Sequence, residues 1–246
     1  MIPLPPQKFI DAVAGGPVHS AGHVEVGRQL HTLVKERCCV LPEDAVLDLG
    51  CGCGRIAVHF TASQRGEYHG LDIMNPMVEW CRAQITTRFP NFHFHHADLE
   101  NTLYRGGTEN AATFKFPFSD SKFNVVFATS LFTHLLPDSA TNYAQEIARV
   151  LRPGGRALLT FFLLNSDWRE RIASGQKLLA EFPYKIGDCR TANLENPEAV
   201  IAYEQHDAVK IFEDAGLDVD SISLGAWRKR SDGWTWQDAI LVSKPA

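Results

Sequence analysis

The chain has 246 residues, 45% of them hydrophobic and 22% charged, enough for one large domain or two small ones. Its formal net charge of -5 supplies no general attraction for a phosphate backbone, which disfavours a nucleic-acid partner. Six cysteines are too few for a dense disulfide framework, and the adjacent Cys38 and Cys39 are poorly placed to bridge each other, so a reducing, cytoplasmic setting is expected.

The N-terminal stretch MIPLPPQKF lacks the basic start and apolar core of a secretory signal. The longest strongly apolar run, Ala157 to Leu164, is far too short to span a bilayer, so no membrane association is expected. Gly15 to His23 is rich in residues that permit unusual backbone geometry, and it leads into a helix predicted over Val24–Glu36. From there, apolar runs of strand length alternate with helical periods. Strands are predicted at about 45–50, 67–72, 92–97, 123–129, 156–162, 217–224 and 237–243. Crossover helices are predicted over Gly54–Ser63, Pro76–Arg88, Asp138–Leu151 and Glu204–Ala215. This alternation is the pattern of an α/β fold with a doubly wound, mostly parallel sheet.

The first strand runs directly into a glycine-rich turn, Val46-Leu47-Asp48-Leu49-Gly50-Cys51-Gly52-Cys53-Gly54-Arg55. Three glycines let the backbone pass close to a ligand, and a helix starting near Gly54 would offer its positive end to an anion. Dinucleotide sites use GxGxxG; here the spacing is GxGxG, preceded by the in-strand Asp48. The second strand ends Gly70-Leu71-Asp72-Ile73, placing a carboxylate where it can accept two ribose hydroxyls. The third closes on His96-Ala97-Asp98-Leu99, where Asp98 can accept from an adenine amine while Ile73 and Leu99 give apolar contact. Singly, each acid also reads as a cap or turn residue. Together they stand at three successive strand tips.

Cys51 and Cys53 have no second cysteine pair to complete a metal site and are expected to pack the turn. In Phe92-His93-Phe94-His95-His96, alternation puts His93 and His95 on one face; a metal site there is geometrically conceivable, but a polar strand face is the expectation, and no metal is assigned. Two segments exceed a minimal alternation: Glu100 to Phe118, with Gly106-Gly107 and Pro117, and Asn165 to Tyr203, with Trp168 and a short helix expected through Lys177 and Leu179. After the fourth strand comes Ser130-Leu131-Phe132-Thr133-His134, a loop beside the central cleft. His134 is the candidate general base there; its alternative role is packing against the next helix, which starts near Pro137-Asp138. Gln145 to Val150 reads as an amphipathic crossover with its charges outward. Leu151-Arg152-Pro153-Gly154-Gly155 then stops that helix, since proline cannot continue it and the glycines permit a turn. The tail, Gly233-Trp234-Thr235-Trp236-Gln237-Asp238, leads into the last strand.

Through VLDLGCGCGR, GLDI, HADL and RVLRPGGRALLTF, the chain resembles the class I S-adenosylmethionine-dependent methyltransferases over most of Val46 to Phe162. The resemblance implies a Rossmann-like, seven-stranded sheet of order 3-2-1-4-5-7-6, its last strand antiparallel, in a single domain spanning 1–246. It implies S-adenosylmethionine as cofactor, with Asp48, Gly50 and Gly52 holding the methionine portion, Asp72 the ribose and Asp98 the adenine. Cys51, Ile73, Leu99 and Ser130 complete the expected cofactor contacts. It further implies that residues 1–40 lid the cofactor, with His19 and His23 as substrate contacts, and that 165–203 contribute to the substrate pocket.

The expected function is methyl transfer to a small-molecule acceptor, oxygen being preferred over nitrogen or carbon. The tetrapeptide Ala128-Thr129-Ser130-Leu131 stands where nucleic-acid amino-methyltransferases carry a DPPY-like sequence. Phe161, Phe162, Trp168, Tyr184 and Trp227 are expected near the pocket edge, hinting at an apolar or ring-bearing acceptor. The alternatives are an NAD(P)-dependent oxidoreductase, against which the GxGxG spacing and the RVLRPGG block count, and a non-catalytic S-adenosylmethionine-binding module. Oligomeric state is left open.

Overall fold

The computed structural model describes residues 2–100, 107–178, 180–229 and 235–246. Gly106 and Leu179 of the two long excursions, and Gly233 and Trp234 of the tail, lie outside these described residues. In chain order the strands are β1 (Val46–Leu49), β2 (Tyr68–Asp72), β3 (Phe92–His96), β4 (Phe123–Ala128), β5 (Leu151–Phe161), β6 (Leu163–Leu164), β7 (Tyr184–Ile186), β8 (Cys189–Thr191), β9 (Ile201–Glu204), β10 (Asp218–Ser223) and β11 (Asp238–Ser243). The helices are α1 (Gln7–Ala14), α2 (Ser20–Arg37), α3 (Ala57–Phe60), α4 (Asn75–Cys81), α5 (Pro137–Val150), α6 (Ser166–Ala173) and α7 (Gln205–Asp214).

The main sheet has the order β3-β2-β1-β4-β5-β11-β10. Pairing is parallel from β3 through β5, and β11 is antiparallel to both β5 and β10. This is the expected order 3-2-1-4-5-7-6, with β11 as the seventh strand of the sheet. Side-chain alternation feeds two cores. Leu47, Leu49, Val126, Ala128 and Leu159 pack with Tyr143 and Ile147 of α5 and Phe212 of α7. Val46, Tyr68, Phe92, Val125, Phe127 and Leu158 pack with Val34 of α2, Phe60 of α3 and Val78 of α4. With both faces covered, β1, β4 and the second half of β5 read as nearly continuous apolar runs.

Several boundaries differ from expectation, each for a local reason. Helix α1 was not foreseen, and α2 begins at Ser20. The helix expected over Gly54–Ser63 is α-helical only at Ala57–Phe60, with turns on either side. The helix expected over Pro76–Arg88 is α4 followed by a π-turn at Arg82–Thr86. Strand β5 begins at Leu151. Its register against β4 slips between the pairs Phe123↔Leu151 and Val125↔Arg156, so Arg152 to Gly155 form a bulge rather than a separate turn. Gly154, at φ 75, donates its N–H to the Lys244 carbonyl at 2.9 Å.

The segment after Phe162 carries a second sheet, β6-β9-β8-β7, which the sequence reading did not include. Its short helix lies at Ser166–Ala173, capped by Asn165 Oδ1, which accepts from the Trp168 amide at 3.1 Å. Lys177, where that helix was expected, is irregular. The described part of the earlier excursion is anchored to α5. Asn142 Nδ2 donates to the Ala111 and Phe114 carbonyls, Glu146 Oε2 accepts from the Phe116 amide at 2.6 Å, and Arg149 donates to the Phe116 and Phe118 carbonyls. The Glu146 and Arg149 charges therefore do not simply point outward; they hold this segment in place.

Candidate active site

The glycine turn, the β2 tip and the segment after β4 surround a cavity of about 890 Å³. Gly50, Gly52 and Gly54 have φ of 76, 52 and 73, a region that side-chain-bearing residues enter at a cost of about 1–2 kcal/mol. At Gly52 space is closed as well: a Cβ there would lie 2.8 Å from Val13 Cγ1 on α1. The turn is pinned to its neighbouring strand because the Gly50 amide donates to the Leu71 carbonyl at 2.8 Å. With four residues, α3 offers little helix-dipole contribution, and the Gly50, Cys51 and Gly52 amides are already donated to Leu71 and Asp72.

Asp48, on β1, is 1% exposed and lines the cavity. Its Oδ2 accepts from the Tyr68 hydroxyl at 2.6 Å, while its Oδ1 has no hydrogen-bond partner among the described residues. Burial pushes its pKa up to about 7, opposed by the Tyr68 bond and reinforced by the nearby Asp72 charge. Asp72, at the end of β2, also lines the cavity. Its Oδ2 accepts from the Gly52 amide at 2.6 Å and its Oδ1 from the Met74 amide at 2.8 Å. Burial raises its pKa against those two bonds.

Asp98 is not brought to this cavity. It is exposed, and its Oδ2 accepts from the Thr108 hydroxyl at 2.9 Å. Its backbone carbonyl accepts from the Thr108 and Glu109 amides, which turns the chain so that Ala97, Leu99 and Glu100 form the wall instead. Cys51, Ile73 and Leu99 do line the cavity.

Beyond β4, Ser130 has a left-handed φ of 59. Its amide donates to Thr160 Oγ1 at 2.7 Å, and its hydroxyl donates to Gln237 Oε1 at 3.1 Å, which also accepts from Thr160 Oγ1 at 2.6 Å. These bonds hold a backbone conformation that costs free energy in isolation. His134 closes a 3-10 turn, Phe132–His134, and lines the same cavity. Its Nδ1 lies 2.9 Å from the Glu198 carbonyl. A carbonyl only accepts, so Nδ1 carries the proton and Nε2 is the unprotonated nitrogen of the neutral ring. Burial lowers the His134 pKa, outweighing the raising effect of the Glu198 and Ala199 carbonyls.

The N-terminal helices form the outer wall, through Val13 of α1 and His23 of α2. His23 is buried, with its pKa lowered to about 4, first by burial and then by Arg55 and His59. His19 is exposed and outside the lining. Of the five aromatics expected at the edge, Phe162 lines the cavity; Phe161 and Trp227 are buried in the cores, Trp168 is partly buried against the cluster around Trp227, and Tyr184 is exposed. Trp236 and Gln237 line it and were missed. They directly precede β11, which crosses the sheet beside β5, so antiparallel pairing rather than any local motif brings them to the site.

The family described as "Methyltransferase domain" matches residues 46–155. The chain is 34% identical over 195 residues to a 27-O-demethylrifamycin SV methyltransferase from Amycolatopsis mediterranei, covering 77% of this chain and 61% of the relative. It is 30% identical over 136 residues to the O-methyltransferase cnsE from Penicillium expansum, covering 54% and 44%. It therefore spans about half the length of the curated relatives it matches. Among solved structures, the [4+2]-cyclase SpnF superposes with a TM-score of 0.63 at 16% identity, over 97% of this chain and 92% of that one. A Burkholderia thailandensis 1,6-didemethyltoxoflavin-N1-methyltransferase, solved with 1,6-didemethyltoxoflavin and S-adenosylhomocysteine, superposes with 0.57 at 15% identity, over 90% and 79%. At such identities the superpositions speak to fold. It is the family match over 46–155 and the 34% identical relative that place the chain in the class I S-adenosylmethionine-dependent methyltransferase family.

Proposed function

We propose that the protein transfers a methyl group from S-adenosylmethionine to a hydroxyl of a small-molecule acceptor, with His134 as general base. The observation that carries this reading is that His134 opens onto the cavity shared by the glycine turn and Asp72, its tautomer set by the Glu198 carbonyl. When bound, the cofactor supplies a methyl carbon made electrophilic by its sulfonium.

The residues present fit that cofactor. Asp48 Oδ1 is a buried acceptor without a partner among the described residues, suited to the ammonium of the amino-acid moiety. Gly50 and Gly52 line the cavity beside it without side chains, so the amino-acid end can approach the turn closely even though the turn amides are already donated to Leu71 and Asp72. Asp72 already accepts one amide on each oxygen, and the second lone pair of each remains for ribose hydroxyls. Ile73, Leu99 and Ala97 offer apolar contact to the base, a role in which Asp98 has no geometric part in this conformation.

A neutral His134 accepts the hydroxyl proton through Nε2 as the oxygen attacks, and burial keeps it neutral at physiological pH. Orientation and water exclusion do much of the rest. Helices α1 and α2 serve as a lid, and the 165–203 segment, which places Glu198 against His134, forms part of the acceptor side. A cavity of about 890 Å³ is near the upper end for ligand pockets, with room for cofactor and acceptor together. The acceptor class is supported by relatives named as O-methyltransferases. No described helix is long and apolar enough to cross a membrane.

The test is thermal-shift and calorimetric titration with S-adenosylhomocysteine and NADH, followed by methyl transfer to a panel of hydroxylated aromatic and macrocyclic compounds. S-adenosylhomocysteine should bind and NADH should not. His134→Gln should slow transfer by roughly 10²–10⁴-fold with unchanged S-adenosylhomocysteine affinity, and should abolish the acid limb of the wild-type rate profile. Equal rates would remove His134 as the base. Binding without transfer to any acceptor would favour a non-catalytic module.

A further inference from the structure

Away from the cavity, β2 and β3 carry a side-chain cluster for which methyl transfer has no use. Parallel pairing sets His69 opposite His93 and Leu71 opposite His95, so alternation brings His69, His93 and His95 to one face. Glu67, just before β2, adds a carboxylate, its Oε2 lying 3.0 Å from His69 Nε2. Donor atoms of Glu67, His69 and His93 all lie within 4.8 Å of one another. None of the three lines the cavity.

We propose that Glu67, His69 and His93 bind a transition-metal dication of the zinc class, which ties β2 to β3. Two imidazoles and one carboxylate are a donor set that such borderline ions prefer over magnesium or calcium. Around a tetrahedral zinc, neighbouring donors at bond lengths near 2.1 Å stand about 3.4 Å apart. The His69–Glu67 pair, at 3.0 Å, lies within a few tenths of an ångström of that spacing, and the remaining closure needs only a rotamer adjustment by Glu67, which is exposed, and His93, which is half-buried. His69 is the fixed point: it is 5% exposed and packed edge-on against Phe118 and Phe123. Its other nitrogen, Nδ1, lies 3.0 Å from His95 Nε2. A neutral His69 ligating through Nε2 carries its proton on Nδ1 and donates it to His95, the outer hydrogen bond that orients metal-bound histidines.

A cation is already drawn to this place. The Lys122 ammonium lies 3.2 Å from Glu67 Oε2, over the rings of Phe118 and Phe123 at 5.7 and 5.5 Å. A metal ion would take its position, and the flexible lysine stem can swing away.

The test uses the full chain, stripped with chelator and titrated with zinc chloride in competition with a chromophoric chelator. Cobalt(II) is titrated in parallel for its visible absorption. Because the chain has 10 histidines, the variants decide. One equivalent should bind, and Glu67→Gln and His93→Asn should each weaken binding at least tenfold while leaving S-adenosylhomocysteine binding unchanged. Lys122→Met should bind more tightly, since it removes the competing ammonium. Wild-type affinity no greater than that of Glu67→Gln and His93→Asn would overturn the site. The same or weaker binding by Lys122→Met would overturn the claim that the ion takes the ammonium's place.

Discussion

Asp48 is costly to the ligand-free protein. Its carboxyl is buried with one oxygen unpartnered, and its pKa rises to about 7 from an ordinary 3.8. Between those values the folded chain holds a proton that the unfolded chain has lost, so stability falls as pH climbs from about 4 to about 7 and is level beyond. A cofactor ammonium beside Asp48 reverses the preference by favouring the carboxylate. S-adenosylhomocysteine affinity should therefore rise with pH between about 5 and 7, by up to about tenfold per unit, and Asp48→Asn should flatten that slope in calorimetry. A slope unchanged by the substitution would place the titrating group elsewhere. Asp72 serves by geometry instead: Asp72→Ala removes the acceptor for the Gly52 and Met74 amides together with the proposed ribose bonds. Cofactor binding should weaken by on the order of 1–3 kcal/mol, and unchanged affinity would contradict the ribose role.

At the scale of elements, the glycine turn and α1 form one unit, because Gly52 leaves no room for a Cβ against Val13. Gly52→Ala should cost about 1–2 kcal/mol for the left-handed backbone and also push α1 off the turn, lowering S-adenosylhomocysteine affinity. Adding Val13→Ala should recover the second part but not the first, giving a coupling of at least about 0.5 kcal/mol in a double-mutant cycle. Strictly additive effects would mean that α1 does not seat on the turn. Helix α1 also illustrates what a sequence hides. The strands were legible because both faces are buried, making runs such as Val46–Leu49 and Phe123–Ala128 apolar but for a single residue each. The acids were legible as polar interruptions of such runs, Asp48 inside β1 and Asp72 at the end of β2. Helix α1 is eight residues long and acquires its meaning only by contact with a turn 40 residues on. Strands β7 and β8, at three residues each, are too short for any period to emerge. The direction of Asp98 was not legible because a strand-tip acid and a turn acid look alike in sequence; its Thr108 bond is ten residues away.

Over the whole molecule, the second sheet is joined to the first by a buried charge. Arg228 and Asp238 are both fully buried, with Nη2 and Oδ2 3.0 Å apart. Asp238 also accepts from the Gly225 amide, the Leu163 amide and the Trp227 indole, while Arg228 donates to Asn165 Oδ1 and the Leu163 carbonyl. One pair thus fixes the start of β11, strand β6 and the cap of α6. Removing one partner of such a pair typically costs about 3–5 kcal/mol, because the other charge stays buried. Arg228→Met keeps the bulk and removes the charge. At roughly 2–4 °C per kcal/mol for a chain of this size, Tm should fall by about 6–20 °C. The deficit should also depend on pH. Burial already raises the Asp238 pKa, and Arg228 is the strongest force lowering it, so its loss sends that pKa higher still. A folded-state pKa raised above the unfolded value costs stability as pH rises; the gap between variant and wild type should therefore narrow on acidification toward the carboxylate range. A gap that is constant with pH would show that packing, rather than the stranded carboxylate, accounts for the loss. No gap at all would mean that the two sheets are held together by their apolar contacts alone.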